Sequence, residues 1–177
     1  TVNKYHQQYP LRRGISREEL KSKIKITPRV FNAVVKKLAS EKLLSDAGGI
    51  VTRTGFEIKF GISDQAKVKE LMRKFEKSPY APPSVKECQA EVGEEAFNAL
   101  LETAQLVMVS QDVVFLPKDY NEMVKIIHAT LVQNGQVSLG EVRDTLNTTR
   151  KYAQALLEHL DSINITMRDG DIRRLKK

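Results

Sequence analysis

Arg150 and Lys151 follow Thr149 at what reads as the first turn of a helix. Peptide N–H groups lack partners there and the helix dipole is positive, so an acidic side chain stabilises that end and a basic one does not. Cations in that place make chemical sense when an anion completes the site, and phosphate is the usual one. The alternative is a solvated pair of long-stemmed charges. Arg168 precedes an Asp169-Gly170 turn and Arg173-Arg174 follow it, which adds cations on a hairpin beside that helix. Arg143 adds one from the preceding helix, while Asp144, Asp169 and Asp171 dilute the set. Grouped, Arg143, Arg150, Lys151, Arg168, Arg173 and Arg174 form a candidate phosphate-binding surface suited to nucleic acid.

Catalytic chemistry finds no comparable set. No Gly-rich loop ends in Gly-Lys-Ser/Thr, so no P-loop is expected. His6, His128 and His159 lack metal-ligand spacing. The single cysteine, Cys88, excludes an internal disulfide, suits a cytoplasmic setting, and falls on an apolar position where packing is its expected role. Tyr152 could stack on a base, but partial burial explains it equally well. No apolar run has the length of about 18 residues that a membrane span needs. We therefore expect no enzyme activity, cofactor, metal or membrane association in this chain.

The elements that must position the cations recur three times. Ser16 and Glu19, Ser84 and Glu87, and Ser138 and Glu141 share the spacing of a capping box. Each box is followed by a second apolar-faced helix: Phe31–Leu38, Phe97–Ala104 and Ala153–Leu160. Aligned, Val34, Leu100 and Leu156 share one core position, and Val35, Leu101 and Leu157 the next. Hairpins close the units through Ala47-Gly48-Gly49, Gln111-Asp112 and Asp169-Gly170, the middle turn lacking glycine. Amphipathic helices at about 63–77 and 119–133 precede the later boxes, and Tyr80-Ala81-Pro82-Pro83 is a connection. The pattern predicts a mainly α fold with small β-wings (α+β), arranged as three tandem winged helix-turn-helix domains at 1–62, 63–118 and 119–177. The first has only a stub of its opening helix before Pro10, and the chain starts at Thr1, so it reads as a fragment.

Net charge is +7 and its distribution is uneven. Residues 1–60 carry 13 Lys and Arg against 5 Asp and Glu, residues 61–118 carry 7 against 9, and residues 119–177 carry 9 against 8. Bulk charge therefore favours the first repeat and local placement the last. The middle repeat keeps Glu94-Glu95 where the last has Arg150-Lys151, and so reads as a spacer or protein-contacting unit.

Three motifs carry a family resemblance. Tyr5-His6-Gln7-Gln8-Tyr9-Pro10-Leu11-Arg12, Thr149-Arg150-Lys151-Tyr152-Ala153 and Gly170-Asp171-Ile172-Arg173 resemble the C-terminal region of bacterial selenocysteine-specific translation elongation factors. That family ends in four tandem winged helices after a GTPase; the match implies the last three, with GTP bound only by the full-length protein. The resemblance also implies that the last winged helix binds an mRNA hairpin that recodes UGA. Its contacts would fall on Thr149, Arg150, Lys151 and Arg173. The chain is expected to act as a monomer, and the charge of the first repeat leaves two readings, a solvated face or a second, sequence-independent contact with RNA or the ribosome. Two other classes stay open: a DNA-binding regulator, disfavoured because the three copies differ in charge, and a protein-interaction scaffold.

Overall fold

A computed structural model describes residues 1–176, which divide into two compact units, residues 1–65 and 66–176. The first unit runs α1 (Val2–Gln8), β1 (Ile15–Ser16), α2 (Arg17–Ile24), α3 (Pro28–Ser40), β2 (Leu44–Ala47) and β3 (Ile50–Arg53). Its antiparallel sheet has the order β1-β3-β2, with Ile15 opposite Val51 and Asp46 opposite Val51. Tyr5, Ile15, Leu20, Phe31, Val35 and Val51 are buried together. The opening motif is mostly packing: Tyr5 and His6 are buried, His6 stacks on Phe56 at 3.6 Å, and the Arg12 guanidinium lies 4.3 Å from the Tyr9 ring centroid.

α4 (Ile62–Lys77) leads into the second unit, followed by α5 (Val85–Val92), α6 (Glu94–Glu102), β4 (Val107–Met108) and β5 (Val114–Phe115). The third repeat then runs α7 (Pro117–Asn134), β6 (Val137–Ser138), α8 (Leu139–Thr145), α9 (Arg150–Ser162), β7 (Thr166–Asp169) and β8 (Ile172–Leu175). β6-β8-β7 repeats the topology of the first sheet, whereas the second repeat has only β4 and β5. A lone bond from the Val85 N–H to the Asp112 carbonyl, 3.2 Å, stands where a third strand would pair. Val109, Val113 and Phe115 of the second repeat join Met123, Ile127, Leu156 and Leu160 of the third in one core, so these two repeats share their interior.

The three Ser-x-x-Glu helix starts follow the expected chemistry with one exception. Ser84 with Glu87 and Ser138 with Glu141 form complete capping boxes. The bonds from Ser138 hold the Glu141 carboxyl below its ordinary range. Ser16 accepts from the Glu19 N–H at 3.1 Å, but the Glu19 carboxylate turns to Lys23 at 2.9 Å, so this box is half formed. A second correction concerns the aligned core positions. Leu100 and Leu156 are fully buried, but Val34 is 43% exposed and Leu101 is half-buried. α9 lies within a core built by two repeats, while the cluster around α3 draws on its own short repeat. Cys88 is buried as expected, and desolvation pushes its thiol up to about 12, which leaves no thiolate for chemistry near neutral pH.

Candidate nucleic-acid interface

The third repeat gathers cations around one concavity. Arg143 from α8, Arg150 from the first turn of α9, and Arg168 and Arg173 from the wing line a cavity of about 270 Å³ with Ser138 and Asp171. Register explains the wing's contribution. Arg168 and Arg173 face each other across β7 and β8, and Arg173 is also opposite Val137 on β6. The turn at Gly170, with φ +61°, reverses the chain between them, a conformation that costs glycine little. Thr149 supplies the N-cap residue of α9 and is exposed, with its hydroxyl not used for the cap. Thr149 is thus next to Arg150 in the chain but is not among the residues that line the cavity.

The four arginines are not equivalent. Arg173 is only 5% exposed, and its Nε donates to Asp161 Oδ2 at 3.2 Å. Asp161 Oδ1 in turn accepts from the Thr166 hydroxyl at 2.6 Å. Arg173 is thus a fixed, partly neutralised charge in the wall. Arg143 pairs with its neighbour Asp144 at 2.7 Å. Arg168 donates to the Gly170 carbonyl at 3.0 Å and, like Arg150, forms no ion pair among the described residues. Arg150 and Arg168 are the cations most available to an incoming anion.

Two predicted members are directed elsewhere. Successive helical residues point about 100° apart. Lys151 accordingly leaves the cavity and pairs with Asp112 of the second repeat, its ammonium 5.5 Å from the Tyr152 ring centroid. The bond to Asp112 raises the Lys151 pKa above its ordinary value. Arg174 reaches from β8 to Asp169 on β7 at 3.1 Å. Tyr152 is half-buried, with its hydroxyl donating to the Pro82 carbonyl at 2.6 Å, so burial accounts for it and base stacking does not. Asp161 and Asp112, which fix Arg173 and Lys151, escaped the sequence reading. Each lies far along the chain from the cation it holds, with no local signal to mark it.

The same positions in the other repeats are built differently. Asp46 sits opposite Val51 in the first sheet, where Arg168 faces Arg173 in the third. Asp46 pairs with Arg17, which also donates to Asn32 at 2.9 Å. Pro28 opens α3 and Glu94 opens α6, where Arg150 opens α9. Among the described residues this arginine cradle belongs to the third repeat. No three or more His, Cys, Asp or Glu side chains among them are placed to hold a metal, and no helix is long and apolar enough to cross a membrane.

Comparison with known proteins gives the family of the chain. Two family models, both described as elongation factor SelB, winged helix, match residues 1–52 and 129–175. The chain belongs to the SelB winged-helix family. Selenocysteine-specific elongation factors of Desulfomicrobium baculatum and Haemophilus influenzae are similar to it, at 28% identity over 99% of the chain and 21% over 96%. The chain spans 29% of the length of each relative. Among solved structures, the mRNA-binding domain of SelB from E. coli, in complex with SECIS RNA, superposes with a TM-score of 0.52 at 25% identity, covering 67% of this chain and all of that one. A bacterial EF-Sec crystal structure shares the fold, with a TM-score of 0.56 at 15% identity, over 99% of this chain and 28% of that one.

Proposed function

We propose that this SelB-family chain binds an mRNA hairpin through the arginine cradle of its third repeat, recruiting a selenocysteine-specific elongation factor to a UGA codon. The observation that carries the reading is the convergence of Arg143, Arg150, Arg168 and Arg173 on one cavity at the start of α9. The E. coli SelB domain that it resembles binds SECIS RNA, which supports the choice of ligand. A-form RNA has a major groove too narrow for a helix, so a winged helix must grip phosphates from outside and take specificity from loop or bulged bases. Arg150 and Arg168 are the phosphate contacts in this reading, Arg143 and Arg173 shape the wall, and Thr149 with the first α9 amides faces an extruded base or phosphate. GTP chemistry belongs to other parts of the full-length factor. This chain needs no cofactor and acts as a monomer in the cytoplasm, with the basic first repeat as a second, sequence-independent contact to the ribosome.

The test is fluorescence anisotropy with the SECIS hairpin bound by the E. coli relative, titrated at several salt concentrations. Each phosphate contact contributes roughly 0.7–0.9 to the slope of log affinity against log salt, so binding should weaken steeply. Arg150→Ala and Arg168→Ala should each flatten that slope by about one. Salt-insensitive binding, or wild-type affinity in the double variant, would overturn the reading.

A further inference from the structure

The first turn of α9 is held on the side opposite the cradle. Three points make contact with the second repeat: the Thr148 hydroxyl donates to the Tyr80 carbonyl, Lys151 pairs with Asp112, and the Tyr152 hydroxyl donates to the Pro82 carbonyl at 2.6 Å. The receiving surface is itself stiff. Pro82 and Pro83 fix the backbone, and Ser84 opens α5 with a full capping box. Asp112 is tied at both peptide groups, its carbonyl accepting from the Val85 N–H at 3.2 Å and its N–H donating to the Ser110 hydroxyl at 3.3 Å. Arg150, which has no ion-pair partner among the described residues, sits between Thr148 and Lys151 and takes its aim from that turn.

We infer that the second repeat is a positioning platform for the RNA-binding turn, and that Lys151 is a positioning residue held by Asp112 instead of a phosphate contact. The inference rests on the proposed hairpin-binding reading. It assigns the second repeat a part in that reading: its glutamate-led α6 cannot serve as a phosphate site, but its Tyr80–Pro83 loop and Asp112 turn set the geometry of α9. A lysine already neutralised by a carboxylate brings little free charge to a polyanion. Preorganising the turn before binding spares the complex part of the ordering cost that a loose site would incur.

Charge arithmetic makes the inference testable, because positioning and phosphate contact predict opposite signs. Removing a carboxylate near RNA should strengthen binding on electrostatic grounds alone. If Asp112 works by holding Lys151, Asp112→Asn should instead weaken hairpin affinity by about two- to fivefold, the range expected for an exposed ion pair. Lys151→Met should weaken it by a similar factor with the salt slope unchanged, and the two changes together should cost no more than either alone. The exchanged pair, Asp112→Lys with Lys151→Asp, should recover most of the lost affinity. All variants are made in the full chain, with the same SECIS hairpin and a circular-dichroism melt of each.

Wild-type or tighter binding by Asp112→Asn, a slope flattened by about one in Lys151→Met, or no recovery in the exchanged pair would overturn the positioning role and return Lys151 to the phosphate contacts. Arg150→Ala separates the two readings. If it binds like wild type, the hairpin proposal itself has failed; if it loses affinity while the Asp112 series behaves as charge alone predicts, only the platform has failed.

Discussion

Replacing Asp161 with asparagine keeps the shape of the side chain and removes the charge that holds Arg173. Arg173 is 5% exposed, so its cation would be left with a neutral amide in place of a carboxylate. Breaking a deeply buried ion pair from one side typically costs about 3–5 kcal/mol. Here the cost is smaller, because the Asp161 side chain is 23% exposed and Arg173 borders an open cavity from which water can reach it. We expect about 1–2 kcal/mol, below that range after allowance for solvent. The reverse change, Arg173→Met, should cost less, below about 1 kcal/mol, since Asp161 keeps the Thr166 hydroxyl and gains water while the aliphatic stem is retained. With a urea dependence of roughly 1–3 kcal/mol per molar, Asp161→Asn should lower the midpoint by about 0.3–2 M. The chain has no tryptophan, so far-ultraviolet circular dichroism is the probe of choice. An Asp161→Asn protein as stable as wild type, or an Arg173→Met protein less stable than Asp161→Asn, would refute this account of how the wall of the cradle is anchored.

Asp119 is 5% exposed, one of its carboxylate oxygens has no partner, and burial raises its pKa above the ordinary value. A folded pKa above the unfolded one means that the protonated acid suits the fold: its contribution is present below the unfolded pKa and lost as pH rises through the folded one. Asp119→Asn should therefore stabilise the protein near neutral pH, with the gain shrinking toward pH 4, as melting curves across that range would reveal. On the aligned helices, Leu156→Ala should cost about 2–5 kcal/mol, whereas the equivalent Val34→Ala should fall within about 1 kcal/mol because Val34 is already 43% exposed. Equal losses in urea melts would contradict the asymmetry between the two repeats.

Local chemistry made much of the molecule legible in the chain itself. Ser-x-x-Glu spacing marks helix starts because the partners of both hydrogen bonds lie within one turn. Gly170 marks the wing because its turn needs a left-handed residue, and apolar spacing marks the inward faces of α7 and α9. The cation set was equally visible, since Arg150 at a helix start runs against the dipole whatever surrounds it. What the chain could not disclose is which way each cation points. Arg150 and Lys151 are neighbours in sequence, yet one faces the cradle and the other the second repeat, because the helix turns its side chains by about 100° and tertiary packing decides what each then meets. Burial of Arg173 against Asp161, exposure of Val34, and the shared core of the second and third repeats arise from contacts far apart in sequence. Residue types and spacing determined the elements and the charge they carry; only the packing of one repeat on another decided which of those charges are free to meet an anion.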